Sequence, residues 1–357
     1  MTAVETSEPV EEDPAGMLEL VDLEPETLMD AFEGRGWGDG LPLVPPTPER
    51  VEAMLAVVGG DPDEVLGVLP PRRGAVTRRT VAINAVLAGC PPRVMPVVLA
   101  AARILGGPSF NLEAVNPTTH PVAPLVIVHG EAVDRLGFNA GAGAFGPGNR
   151  ANATVGRAVR LLLLHTSGAR PGEGDRSTQG QPSKYTYCVA ENLPASPWGG
   201  YAASRGVDTP SAITVAPVEN PHNAHDQEDD SPEKVLDKLA SNIASLGSNH
   251  CCILGNEIFV AMCPEHAASI AGRKWTRADV AGYLQQRARI TAAQLIAAFD
   301  QRSWPRWMRG LRGDDLVPLI AQPDDLRLVV VGGPGKHSSV LPCFGTAPCS
   351  VTLPLDI

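Results

Sequence analysis

Residues 124–168 read PLVIVHGEAVDRLGFNAGAGAFGPGNRANATVGRAVRLLLLHTSG, and the order of patterns in this stretch decides the fold class. Leu125 to Val128 is an apolar run with the length of a buried strand. Gly137 to Gly148 is too rich in glycine to hold regular structure. A helical pattern with a leucine core then follows Asn149. Strand, loop and helix in that order indicate an α/β fold with mixed sheets and flanking helices. A loop feeding a helix N-terminus also gathers unpaired N–H groups and the positive end of the helix dipole, which favours an anion. Gly148, Asn149, Arg150 and Asn152 are the expected contacts. Arg157 lies two turns beyond Arg150 on the same face. On this reading Arg157→Ala removes ligand binding with little loss of folding; the alternative is a loop and capped core helix without a ligand.

Gly141, Gly143 and Gly146 spell G-x-G-x-x-G, but the context is not that of a dinucleotide site. The apolar run stops about ten residues too early, and no acidic residue follows at the required offset of about 20. No nucleotide cofactor is expected.

Two further apolar runs end, like the first with its His129, in segments that carry histidine. Ile213 to Val218 leads to His222 and His225, and Leu326 to Val331 leads through GGPGK to His337. In open α/β sheets the ligand crevice lies beyond the carboxyl ends of the strands. Parallel neighbours would therefore bring these histidines together with the glycine-rich loop. His222, His225 and His337 have the residue type for a divalent transition metal, with unliganded surface histidines as the alternative. The backbone from Gly332 to Lys336 can form an anion-holding nest. Lys184, Cys188 and Glu191 combine a thiol with an ammonium and a carboxylate, the types needed for nucleophilic attack with acid/base help. A buried structural Cys188 is the competing reading. Asp39, in GWGDG, is either a further catalytic carboxylate in a pocket wall or the anchor of an Asx-turn.

The remaining elements follow from caps and periodicity. Helices are expected over Pro25–Glu33, from Thr47-Pro48, over Thr77–Ala88 and Arg93–Leu105, from Ser231-Pro232 to about Leu246, and from Pro264 and Thr276. Strands are expected at Phe110–Val115, Lys184–Val189, and as a pair, Cys251–Leu254 with Ile258–Met262. No fixed-period repeat is present. The expected organisation is an acidic disordered tail (1–16), an N-terminal α/β lobe with the glycine-rich loop (17–225), and a C-terminal α/β lobe (226–357), with a cleft between the lobes.

The net charge of −11 disfavours nucleic acid and acidic membranes as main partners. The acidic N-terminus lacks the basic and apolar regions of a signal peptide, and no apolar stretch is long enough to span a bilayer, so a cytoplasmic location is expected. The seven cysteines are odd in number and scattered, which favours buried or functional thiols over a disulfide framework. The small-residue core hints at packing into a homo-oligomer.

Several segments together resemble the long domain that accompanies UGSC-type (seleno)proteins, a bacterial family. They are GWGDGLPLVPPTPERVEAML, TVAINAVLAGCPPRVMPVVLAA, FGPGNRANATVGRAVRLL, KYTYCVAEN with its following SPW, and PEHAASIAGRKWTRADV, spread over roughly residues 36–280. The resemblance implies a thiol-redox role resting on a (Sec/Cys)-Gly-Ser-Cys tetrad. This chain has no such tetrad; its nearest stretch is Cys343-Phe344-Gly345 with Cys349-Ser350. The residues by themselves favour an enzyme for a small polar or carboxylated metabolite, held by an anionic group, with metal-assisted hydrolysis or lyase chemistry ahead of a cysteine-dependent oxidoreductase. A binding or scaffold protein for a partner enzyme is the reading from another class.

Overall fold

A computed structural model describes residues 24–228, 231–252, 256–299, 308–344 and 350–357. The expected acidic tail therefore lies outside the described residues. In chain order the strands are β1 (Val65–Leu69), β2 (Gly74–Thr77), β3 (Ala123–Gly130), β4 (Cys188–Ala190), β5 (Ser211–Val218), β6 (His222–His225), β7 (Ile258–Met262), β8 (Arg289–Thr291), β9 (Leu316–Pro318), β10 (Leu326–Val330), β11 (His337–Pro342) and β12 (Val351–Pro354). The longer helices are α1 (Pro25–Gly34), α2 (Pro48–Val58), α3 (Arg78–Leu87), α4 (Met95–Gly106), α5 (Arg150–Leu162), α6 (Pro232–Ile243), α7 (Pro264–Gly272), α8 (Arg277–Arg287) and α9 (Ala292–Ala298).

Local chemistry sets most of these boundaries. Proline stands in the first turn of α1, α2, α6 and α7, where its missing N–H has no intrahelical partner to lose. Reciprocal capping boxes start α3 at Thr77, α8 at Thr276 and α9 at Thr291.

The α/β class with mixed sheets is present, and its layout contains a repeat. One sheet has the order β4-β3-β5-β12 and the other β10-β7-β11-β6. In each, a central strand pairs in parallel with one neighbour and antiparallel with the other, and an antiparallel edge strand completes the set. The registers also match. Val126 faces Val215 in the first sheet as Val260 faces Val340 in the second, and Pro217 and Pro342 take equivalent places. The edge strands are exchanged: β6 follows β5 in sequence but joins the second sheet, and β12 follows β11 but joins the first. Where the exchanging segments cross, Glu219 N donates to Pro342 O and Phe344 N to Pro217 O, both at 2.9 Å.

The expected boundary at 225/226 therefore does not separate two lobes, because β6 and β12 each lie in the other half's sheet. No cleft separates the sheets along their inner faces either. Leu125, Ile127, Phe259, Val329 and Leu341 meet there in an apolar seam. The outer faces, including Val126, Val215, Val260 and Val340, pack under two helical layers, α2–α5 on one side and α6–α9 on the other. Strand alternation delivers both sets from the same strands, so sheets buried on both faces read as unbroken apolar runs.

Four local expectations are corrected. Leu112–Val115 is a helical turn, not a strand. His222–His225 is the strand β6, not a loop. Asn249–Cys252 is a helical turn, so it is no partner strand for β7; 253–255 lie outside the described residues. Lys184 closes a 3-10 turn, and only Cys188–Ala190 of the expected strand is extended. Among the described residues no helix is long and apolar enough to cross a membrane.

Candidate functional site

The repeat makes the ends of the two central strands comparable positions. His129 follows Val128, the last residue of β3 paired with β4; Cys263 follows Met262, paired in the same way with β10. Both positions carry buried polar networks.

At the first, Glu191 Oε2 lies 2.7 Å from His129 Nδ1, and His129 Nε2 lies 2.9 Å from Thr214 Oγ1. Tyr201 N donates to the other Glu191 oxygen at 2.7 Å, and the Tyr201 ring stacks on His129 at 5.4 Å. Carboxylate, imidazole and hydroxyl are aligned as in a hydrolase triad. Yet the Thr214 hydroxyl also lies 2.9 Å from Thr352 Oγ1, and both His129 nitrogens and both Glu191 oxygens already have partners. The group is a closed structural network.

At the second, Pro264 fixes the start of α7, making Cys263 its N-cap, and His266 stands at the third helical position. The helix turns the His266 backbone N–H and imidazole back toward the sulfur. Ser338 of β11 completes the cluster: its Oγ accepts from Cys263 N at 3.1 Å and lies 2.8 Å from His266 Nδ1. Burial alone would raise the Cys263 thiol. The hydrogen bonds and charge of His266 outweigh burial and hold it below the usual thiol value. Burial would likewise lower His266, but its bond to the Cys263 sulfur raises it. Both directions favour a thiolate–imidazolium pair. Behind it, the Asp226 carbonyl lies 3.3 Å from His266 Nε2, and the Asp226 carboxylate bonds Lys238 at 2.7 Å. An open groove of about 300 Å³ between β6 and α6, lined by residues including Ala224, His225, Lys238 and Asn242, lies beside this group.

The other predicted residues are placed elsewhere. Cys188 packs in β4, and burial drives its thiol far above the ordinary value, the opposite of an activated nucleophile. Lys184 bonds Asp175 at 2.7 Å, which also pairs with Arg160 at 3.3 Å, so its ammonium is committed to an ion cluster away from Glu191. Asp39 and Arg157 hold each other through two 2.8 Å bonds, while Leu41 N closes the expected Asx-turn on Asp39.

The glycine-rich loop is stapled by its own polar residues. Asn149 caps Asn152 N and donates to Gly137 O. Buried Asn152 accepts from Asn139 N and donates to Asn139 O. Arg150 Nε donates to Gly89 O. Gly148 supplies the left-handed turn (φ +114°) before the cap.

The histidines are not brought to one point. On a strand, residues three apart face opposite sides, so β6 separates His222 from His225. His222 lies 3.4 Å from Glu219, whereas His225 stacks on His337 at 5.4 Å across the β6–β11 register. Among the described residues no three His, Cys, Asp or Glu side chains are grouped to hold a metal ion. Of the UGSC-like stretch, Cys343 is buried near the strand exchange, and Gly345 and Cys349 lie outside the described residues.

His222 instead belongs to a pH-sensitive contact at the strand crossing. Burial would raise the Glu219 carboxyl, but His120, at 2.8 Å, and His222 bring it down to about 2. A depressed carboxyl stabilises the fold above its unfolded value of 4.5 and loses that contribution as pH falls toward 2. Glu219→Gln should abolish roughly 2–3 kcal/mol of acid-dependent stability across this window. Urea unfolding at a series of pH values checks it; parallel profiles for both proteins would refute the assignment.

Sequence reasoning passed over Cys263, His266 and Ser338. The available signal was Cys263-Pro264-Glu265-His266: a thiol at a proline-marked helix start, with a histidine one turn on. No family model, curated protein or solved structure matches the chain.

Proposed function

We propose that the protein is a cysteine-dependent enzyme in which Cys263 is the nucleophile and His266 its proton partner. The observation that carries this reading is the pairing of a helix-capping thiol with His266 and Ser338 at the carboxyl end of a central strand. Thiolate attack on an electrophilic centre expels a leaving group, whose electron pair takes a proton from the His266 imidazolium. Water or a second thiol, deprotonated by the neutral imidazole, then displaces Cys263 from the adduct. Ser338 holds the imidazole in register and is a positioning residue. With Cys263 only 2% exposed, the substrate is small. The resemblance to the UGSC-type family supports sulfur chemistry in general, carried here by Cys263. A metal at His222, His225 and His337 has no comparable geometric support.

The test is the pH dependence of Cys263 alkylation by iodoacetamide, followed by peptide mass mapping. The wild-type rate should reach its plateau below the ordinary thiol range, and His266→Phe should move the inflection upward, because burial then acts unopposed. A Cys263 that titrates alike in both proteins would end the proposal.

A further inference from the structure

β10 and β11 flank β7, so the segment connecting them, 331–336, must cross the carboxyl end of β7, where Cys263 sits. This strap is GGPGK with its preceding valine. It is tied at both ends. Val331 N donates to Met262 O and Gly332 N to Ala140 O, while Asn192 Nδ2 donates to Gly332 O at 2.9 Å. At the far end Asp226 N donates to Lys336 O at 3.3 Å, and it is the Asp226 carbonyl that meets His266.

Between these ties the chain turns through positive φ at Gly335 (+139°) and Lys336 (+54°). Lys336 thus accepts a conformation that L side chains rarely adopt. The turn aims two successive backbone N–H groups at one point, the arrangement of an anion nest. That point is occupied by Glu265 Oε2, which accepts from Gly335 N and, at 2.7 Å, from Lys336 N. Glu265 lies between Cys263 and His266 in sequence. A carboxylate of the chain itself, two residues along from the thiol, therefore fills this nest and pins the strap.

Resting on the reading of Cys263 as a nucleophile, the geometry points to an oxyanion site at the Gly335 and Lys336 amides, occupied by Glu265 in the free protein. A substrate or effector bearing a carboxylate or phosphate-type group takes these amides from Glu265. The strap then lifts at Gly332 and uncovers the thiol. Substrate anion and electrophilic centre would lie within one small molecule, since the sulfur is on the N-cap of α7 and the nest is held by Glu265 in its first turn.

The experiment compares iodoacetamide modification of Cys263 in the full-length wild-type protein and Glu265→Gln, with and without inorganic phosphate. Losing the charge-assisted bonds should speed modification of the variant about tenfold or more. Phosphate should accelerate the wild type saturably and leave the variant almost unchanged. A second readout needs no variant: the Gly335 and Lys336 amide resonances should shift saturably with phosphate and with acetate, but not with chloride at equal ionic strength. Equal rates in both proteins together with unmoved amides would overturn the oxyanion site. If Cys263 then still shows its low-lying inflection, the nucleophile assignment survives. A Cys263 that reacts as an ordinary thiol, with amides that do shift, would instead remove the nucleophile and leave a bare anion site.

Discussion

Replacing Arg157 by alanine should cost about 3–5 kcal/mol of folding stability, the range for breaking a buried ion pair by removing one partner. The guanidinium bonds both Asp39 oxygens at 2.8 Å and also donates to the carbonyls of Leu41, at 3.0 Å, and Pro42, at 2.8 Å. The side chains are 14% and 5% exposed. Truncating Arg157 removes the ion-pair partner of the Asp39 carboxylate and frees the carbonyls of Leu41 and Pro42, in a segment too rich in glycine and proline to form its own ladder. Neighbouring bonds show how that segment depends on side chains: Trp37 O meets His165 Nε2 at 2.9 Å, and Gly36 O accepts from Arg170. Urea unfolding of Arg157→Ala, Asp39→Ala and the double variant is the measurement. The double variant should lie well short of the sum of the singles, by roughly 1–3 kcal/mol. Additive losses would mean the two side chains stabilise the fold independently.

Glu191→Ala is expected to be comparably damaging, by about 3–5 kcal/mol, because it leaves two buried donors without an acceptor. The His129 ring and the Tyr201 amide converge on this carboxylate from different elements, and His129 links onward to Thr214 and Thr352 across three strands. Glu191→Gln retains the shape and one acceptor, so it should recover about half of the loss. Thermal unfolding of both variants decides the matter. An alanine variant within about 1 kcal/mol of wild type would deny the network its structural role.

The repeat gives these networks a common logic. In each half, the chain leaving the parallel neighbour must cross the end of the central strand to reach the antiparallel one. In the first half that crossing is long, running from Glu191 to Pro210, and it seals His129 beneath Tyr201. In the second it is the short strap over Cys263, held in part by one carboxylate. The longer crossing brings an aromatic ring over its strand end, whereas the shorter one is tied to Glu265 through the Gly335 and Lys336 amides.

Much of the secondary structure was legible because its causes are local. Pro264 and Thr276 mark helix starts whatever surrounds them, and the apolar runs at Leu125–Val128 and Leu326–Val331 are strands buried on both faces. The Asx-turn at Asp39 was equally readable, since a short carboxylate two residues from a free amide needs no tertiary help. The strand at His222–His225 was not legible: HNAH has little strand propensity, and it is extended only because β11 supplies a ladder. Leu112–Val115 misled for the converse reason, its apolar residues being turned into the core by a single helical turn.

The site divides in the same way. Residue types such as the arginines of α5 or the histidines near strand ends suggest chemistry, but partners decide whether it is available. Asp39 claims Arg157, Asp175 claims Lys184, and the opposite faces of β6 part His222 from His225. Gly156 belongs here too: a Cβ on it would lie 2.3 Å from Tyr187 N, so the helix read as an anion site is packed against the approach to β4. By itself the sequence determined the α/β class, most helix starts and the double burial of the central strands, because caps, proline and apolar periodicity act within a few residues. Only the tertiary structure decided the duplicated sheets with exchanged edge strands, the closure over His129, and the meeting of Cys263, His266 and Ser338. Those depend on strand order, which no local pattern encodes.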